Sequence, residues 1–315
     1  MGERKPLVII GGATGVGKTK LSVELAKRLD GEIISADSMQ VYKGFDIGTA
    51  KITPGEMENI PHHLIDILEP DQEFNIYEFK SRAVKAIGEI CCRGRIPIIV
   101  GGTGFYIQSV LYNVDFTEDN SDKSYRRYLE ELAGEKGCGY VYGLLEKVDP
   151  ESAGLIHTNN VKRVIRALEY YHDTGEPISK HNSEQKENIS PYNFAYFVLN
   201  RKRETIYDRI NRRIDKMIGD GLEDEVRSLL GSGISPDSLA MQGIGYKEMI
   251  PYIGGLISLS EAAEQLKLNT RHFAKRQNTW FKREKDAIWV NYEDFPDEMT
   301  MLDFILENLK ERNII

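Results

Sequence analysis

The sequence predicts an α/β fold: a parallel sheet with helices on both faces, interrupted by a mostly helical insertion domain. Three observations lead there. Short apolar, β-branched runs alternate with helical periodicity over the first hundred residues. From about Asn120 to Asn193 no convincing strand occurs, and an apolar run resumes at Phe194–Leu199. The composition is ordinary for a globular protein, with 315 residues, 41% hydrophobic and 29% charged, enough to bury a full core without staples. The expected organisation is a core built from 1–119 and 194–315, with a helical insertion at 120–193.

Taken in order, Pro6–Ile10 is a short buried strand. Gly11–Thr19 follows, then a helix marked by Leu21, Leu25 and Leu29. Glu32–Ala36 reads as a second strand ending at Asp37. Phe79, Ala83, Ala86, Ile87 and Ile90 give a helix, and Ile96–Val100 a third strand closed by Gly101, Gly102 and Gly104. In the insertion, Tyr125–Leu132 and Val161–His172 are helical, and Thr174–Pro191 is polar and rich in turn formers. After the strand Phe194–Leu199 comes a helix with Ile206, Ile210, Ile214 and Met217 on one face. A long helix over about Ser260–Lys285 carries Leu266, Phe273 and Trp280 as its core stripe, and Ala287–Val290 is the final strand.

The formal charge of −8, from 41 basic and 49 acidic residues, taken alone argues against a nucleic-acid binder. The distribution is uneven, however. Arg271, Lys275, Arg276, Lys282, Arg283 and Lys285 cluster with only Glu284 against them. Arg201–Lys216 is likewise basic, while acids collect at Glu118–Asp122 and Tyr292–Glu298. Cys91, Cys92 and Cys138 have neither a disulfide-framework nor a metal-finger spacing. The short apolar start, Leu7–Ile10, is no signal segment or membrane span, so a cytoplasmic protein is expected.

Gly12-Ala13-Thr14-Gly15-Val16-Gly17-Lys18-Thr19 fits G-x-x-x-x-G-K-[ST], between a strand and a helix. Its glycines let backbone N–H groups turn toward phosphate oxygens at a helix N-terminus. Lys18 adds a positive charge, and the Thr19 hydroxyl is a candidate Mg²⁺ ligand. The core is therefore P-loop NTPase-like, with ATP as the default polyphosphate. Asp37, at the carboxyl end of the second strand, can accept a proton or hold a metal, or simply shape a turn. Ser38, Met39 and Gln40 after it offer groups suited to a nucleobase. Thr103 sits in a glycine turn on the same rim. Arg163 and Arg166 share a helix face, as do Arg209 and Arg213, and Arg213 is placed to clamp a phosphate. Alternatively, Arg163 and Arg166 pair with Glu169 as a solvated face. Arg271, Lys275 and Lys282, with Arg276 and Arg283 on a neighbouring face, form a basic stripe suited to a phosphate backbone. His62-His63 lacks a third ligand at metal spacing.

A small-molecule kinase would use the same loop and Asp37 for phosphoryl transfer, but such kinases are much shorter and leave the basic helix unexplained. A nucleotide switch or ATPase would need a strand ending in a metal-binding Asp, where this chain has Gly101-Gly102-Thr103.

The chain resembles the bacterial tRNA dimethylallyltransferases, the IPP transferase family. The resemblance rests on GGATGVGKT (11–19), ADSMQVYKGFDIGTAK (36–51), PHHLID (61–66), GGTGFY (101–106), RVIRALE (163–169), IGYKE (244–248) and TRHFAKRQNTWF (270–281). Ala13 and Gly15 stand where the family usually has Pro and Ala, and Lys162 where Gln is common. The resemblance implies transfer of a dimethylallyl group from dimethylallyl diphosphate to N6 of the adenine 3′-adjacent to the tRNA anticodon, with pyrophosphate leaving. It implies that the loop holds a diphosphate, with Lys18, Arg213 and Thr19-bound Mg²⁺ neutralising the leaving group. Asp37 would hydrogen-bond N6 and take its proton, and Thr103 would support the same amine or the leaving oxygen. Ser38, Met39 and Gln40 would line the base pocket. Arg126, Lys162, Arg163 and Arg166, with the stripe from Arg271 through Lys275 and Arg276, would hold the anticodon stem-loop. It further implies a monomer with no membrane partner.

Overall fold

The computed structural model describes residues 4–114, 124–185 and 189–315. Its contacts divide the chain into two units, 1–111 with 191–315, and 112–190. The expected boundary at 119/120 and the acidic run 118–122 lie outside the described residues.

In the first unit, β1 (Lys5–Gly12) leads into α1 (Lys18–Leu29), β2 (Gly31–Ala36), α2 (Pro54–Met57), the two-residue β3 (His62–His63), α3 (Ile76–Cys92), β4 (Ile96–Gly101) and α4 (Gly104–Leu111). The second unit holds α5 (Ser124–Lys136), α6 (Cys138–Val148), α7 (Pro150–Leu155), α8 (Val161–Thr174) and α9 (Ile178–Gln185). The chain returns as β5 (Tyr192–Asn200), α10 (Arg203–Gly219), α11 (Leu222–Gly231), α12 (Met249–Ile253), α13 (Leu259–Phe281), β6 (Ala287–Asn291) and α14 (Glu298–Glu311).

The six strands form one parallel sheet in the order β3-β2-β4-β1-β5-β6. Central β1 pairs Ile9 with Ile99 on one side and with Tyr196 on the other. Leu7, Val8, Ile9 and Ile10 are all fully buried, which is why this strand reads as a continuous apolar run without alternation. Val8 and Ile10 face a core shared with Leu21 and Leu25 of α1 and Met301, Leu302, Ile305 and Leu309 of α14. The other face packs against α3 and α13, with Phe281 of α13 lying over Gly11. Loops at the carboxyl ends of adjacent parallel strands thus converge on one rim.

Buried Glu32 stands behind the two histidines. Burial alone would raise its pKa, but hydrogen bonds from Arg93, His63 and Arg95 outweigh this and hold it at about 2. His62 Nδ1 lies 2.8 Å from the Ile60 carbonyl. Among the described residues no group of three or more His, Cys, Asp or Glu side chains is placed to hold a metal.

β6 is the final strand, as expected, and α14 follows it and closes the core. Two expectations change. The helix expected to reach Lys285 ends at Phe281, with Lys282 as its C-cap, so Arg283 and Lys285 do not extend a helical stripe. The buried face of α13 is Ala262, Ala263, Leu266, Ala274, Gln277 and Phe281, with Phe273 and Trp280 only partly buried. A strict seven-residue repeat drifts about 20° per repeat around a straight helix, so it leaves the buried face of a helix packed on a sheet.

The second unit is a helical cluster around Leu129, Leu132, Val141, Leu145, Val164, Ile165 and Leu168. The segment 174–191, polar and rich in turn formers, contains α9. Among the described residues no helix is long and apolar enough to cross a membrane.

Candidate active site

A cavity of about 440 Å³ opens on the rim of the sheet. It gathers Thr14, Gly15, Gly17, Lys18 and Thr19 from the glycine loop, Asp37 and Gln40 beyond β2, Gly101 at the end of β4 and Gly102 beyond it, and Arg209 and Arg213 from α10. Phe273 and Gln277 of α13 complete this part of its wall.

The loop presents its amides because its carbonyls are held elsewhere. Lys18 Nζ donates to the Gly12 and Ala13 carbonyls at 2.8 and 3.0 Å. Arg209 Nε donates to Gly15 O at 2.7 Å, Arg201 Nε to Val16 O at 2.9 Å, and the Tyr292 hydroxyl to Gly17 O at 3.4 Å. Arg201 also stacks on the Tyr292 ring, 3.3 Å from its centroid. Gly17 has φ 114°, and a Cβ there would lie 2.7 Å from the Tyr292 hydroxyl, so only glycine fits this turn. The N–H groups of Gly15, Gly17, Lys18 and Thr19 have no partner among the described residues. Together with the α1 dipole they form an anion cradle.

Burial of the Lys18 ammonium lowers its pKa from the ordinary lysine value to about 8. Asp37 partly offsets this and Arg213 reinforces it. Burial of the guanidinium, and then Arg209 beside it, lowers Arg213 below the usual arginine value. Positive charge is thus held in a poorly solvated place, where an anion relieves the cost.

Asp37 does two things at once. Its Oδ1 accepts from the Met39 and Gln40 amides at 2.9 and 3.3 Å, forming an Asx turn. Its other oxygen has no hydrogen-bond partner among the described residues, and the side chain lines the cavity. Gln40 reaches the Thr49 and Ala50 carbonyls, both at 3.4 Å.

Other residues singled out by sequence lie off the cavity wall. Gly12, Ala13 and Val16 are buried behind the loop. Ser38, Met39 and Thr103 are not among the lining residues; Met39 packs toward Gly243, and the Thr103 carbonyl starts α4 by accepting from Tyr106 and Ile107. On α13, Arg271 donates to Asn211 at 3.1 Å, while Lys275 and Arg276 are exposed. In the second unit, Lys162 and Arg163 are exposed and Arg166 half-buried. It is Arg126, not Arg163 or Arg166, that pairs with buried Glu169, through a two-bond fork at 2.8 and 2.9 Å.

Sequence reasoning gave no role to Arg201, Tyr292 and Gln277, and named Arg209 only as sharing a face with Arg213. Gln277 carried a local signal, an amide in step with Ala274 and Phe281 on a buried face. Arg201 and Tyr292 are 91 residues apart and carried none.

Thr19 is exposed at the mouth of the cradle and its hydroxyl has no hydrogen-bond partner among the described residues. One hard oxygen donor beside a polyphosphate site suits Mg²⁺, which takes most of its ligands from phosphates and water.

An IPP transferase profile matches residues 40–284, and an isopentenyl transferase profile residues 5–67. The chain is 55% identical over 311 residues to a tRNA dimethylallyltransferase of Lachnoclostridium phytofermentans, covering 99% of each chain. It is 50% identical over 315 residues to one of Bacillus cereus, again covering 99% of each. Among solved structures, a Bacillus halodurans tRNA isopentenylpyrophosphate transferase superposes with a TM-score of 0.73 at 44% identity, covering 98% of both chains. A eukaryotic dimethylallyltransferase acting on tRNA superposes with a TM-score of 0.84 at 31% identity, covering 98% of this chain and 80% of that one. With the match running nearly end to end over the same loop and rim, the chain belongs to the IPP transferase family.

Proposed function

We propose that this enzyme transfers a dimethylallyl group from dimethylallyl diphosphate to the exocyclic N6 of the adenine 3′-adjacent to a tRNA anticodon. The observation that carries the reading is the cavity itself, in which an open amide cradle with Lys18 and Arg213 shares a wall with a carboxylate oxygen that has no partner among the described residues. The cradle holds the diphosphate. The allylic C–O bond breaks, and its electron pair leaves with pyrophosphate. Lys18, Arg213 and the loop amides stabilise that growing charge, which is usually the largest catalytic contribution. The new bond forms between N6 and the allylic carbon, and the N6 proton passes to Asp37.

The adenine leaves its stack to reach this site, as base-modifying enzymes require. Gln40 contacts its edge, with Ser38, Met39 and Thr103 supporting the surrounding backbone. Thr19 would hold Mg²⁺ here, which would supply further neutralisation of the leaving group. Lys162, Arg163 and Arg166 contact tRNA phosphates, and so do Arg271, Lys275 and Arg276. Arg126, paired with Glu169 through Nε and Nη2, belongs to the same tRNA-contacting set as Lys162, Arg163 and Arg166. The enzyme acts as a cytoplasmic monomer.

The test is incubation with unmodified tRNA, labelled dimethylallyl diphosphate and labelled ATP. Label from the prenyl donor should enter tRNA with release of pyrophosphate. Transfer of the ATP γ-phosphoryl group to an acceptor, with no prenyl label in tRNA, would replace this reading with a kinase.

A further inference from the structure

We propose that Gln277 is a positioning residue for this reaction, setting the phosphate loop against the glycine turn that follows β4. The inference rests on the function proposed above. Gln277 is 7% exposed on the inner face of α13. Its Oε1 accepts from the Thr14 N–H at 2.8 Å, and its Nε2 donates to the Gly102 carbonyl at 3.0 Å. The two partners fix the amide's orientation, because Thr14 needs an acceptor and Gly102 a donor. Thr14 and Gly102 follow neighbouring strands, β1 and β4, and both line the cavity.

One side chain therefore ties together two segments just beyond the last β1–β4 pair, Gly11 with Gly101. The bridge comes from a third element, a helix anchored by Ala274 and Phe281 on either side of Gln277. The fit is tight, since a Cβ on Gly102 would fall 2.1 Å from Gln277 Nε2. Occupying the Thr14 amide also has a consequence. It leaves Gly15, Gly17, Lys18 and Thr19 as the amides that meet the anion, and so fixes where the diphosphate sits relative to the rim. Displacing reacting groups by about 1 Å can cost roughly a hundredfold in rate.

Two variants test this. Gln277→Leu has a similar shape and removes both hydrogen bonds. It should weaken inorganic pyrophosphate binding about tenfold and lower single-turnover prenyl transfer at least about tenfold, with tRNA affinity within about threefold of wild type. Gln277→Glu keeps the acceptor but has the donor only when protonated, so its activity relative to wild type should rise as pH falls from about 8 to about 6. Pyrophosphate affinity and turnover within threefold of wild type in the Leu variant would overturn the proposal. So would an equal loss of tRNA affinity, which would mark Gln277 as general support for α13. If the Leu variant does not fold, a pH-independent activity ratio for the Glu variant would overturn it. Pyrophosphate binding is read without tRNA, so the positioning claim stands or falls separately from the prenyl-transfer reading. That reading fails if wild type transfers no prenyl group.

Discussion

Two loops on this rim present successive backbone amides, and they have opposite fates. Beyond β2, the amides of Asp46, Ile47 and Gly48 all point at the Glu225 carboxylate, at 3.2, 2.7 and 3.0 Å. Glu225 also accepts from the Tyr246 hydroxyl at 2.6 Å. Burial first, and then the negative charge of Glu225, raises the Tyr246 pKa, so the phenol stays protonated and donates. The protein supplies the anion for that array. Beyond β1, the amides of Gly15, Gly17, Lys18 and Thr19 meet no protein anion among the described residues, and the cations nearby are buried at a cost. The same local geometry is a structural joint where the anion is built in and a binding site where it must arrive. Asp37 is the intermediate case, with one oxygen capping a turn and one left open.

The largest expected effect falls on that divided residue. Asp37→Asn preserves an oxygen for the Met39 and Gln40 amides, so the turn and tRNA affinity should survive. It lacks a proton acceptor for the N6 proton. Positioned general bases typically contribute about 10²- to 10⁴-fold, and single-turnover rates at saturating tRNA and donor should fall within that range. A rate within threefold of wild type would show that allylic ionisation alone governs the reaction. It would also show that Asp37, like Glu225, serves the fold.

Next comes Lys18→Ala. Losing one cation from the open cradle should lower transfer about 10²- to 10³-fold, in line with removal of a single donor at developing charge. Because its ammonium bonds, among the described residues, to the loop's own Gly12 and Ala13 carbonyls, the melting temperature should move little. A drop of many degrees would make Lys18 a joint instead of a binding group.

Glu225→Ala should show the reverse profile. Three amides and a phenol lose a charged acceptor, and hydrogen bonds to charged groups contribute about 1.5–3 kcal/mol each, less where water replaces them. Asp46 is exposed, so a total of about 2–3 kcal/mol is expected, lowering the melting temperature by several degrees. Pyrophosphate affinity should stay within about threefold. A variant that keeps its stability but loses pyrophosphate binding would invert the comparison.

The contrast between the two arrays was only half legible in the sequence. The open cradle announces itself through local spacing, because its glycines, Lys18 and Thr19 are consecutive. The filled one does not, because Glu225 lies 177–179 residues from the amides that it holds. The sheet was read well where strands are apolar runs buried on both faces, as in Leu7–Ile10. Elements of weaker pattern were missed. The α6 helix contains Gly139 and Gly143, and α14 begins in an acidic stretch although Met301, Leu302, Ile305 and Leu309 repeat at helical spacing. The alternative for Asp37, turn or base, could not be resolved from sequence because the residue does serve the turn. The pairing of Arg126 with Glu169 carried no local signal, because the two lie on different helices.

The smallest effect is a pH dependence, and its sign separates a binding cation from a structural one. Lys18 titrates at about 8 in the folded protein, against 10.5 for an ordinary lysine. In the free protein its charge is therefore a burden below about pH 8. That burden is relieved as pH rises toward 10.5, where the unfolded chain still binds a proton that the folded one has released. An anion in the cradle reverses the preference, because it stabilises the charged amine. Pyrophosphate affinity should then fall as pH rises through about 8, by up to about tenfold between pH 7 and pH 9. Pyrophosphate gains charge over the same range, so the slope must be read against Lys18→Met, which keeps the ligand's titration and lacks the amine's. Wild type should lose affinity with pH relative to that variant, and the melting-temperature gain from pyrophosphate should shrink in parallel. Equal slopes in the two proteins would mean that the ammonium does not meet the anion, and the cradle would be one of amides and Arg213 alone.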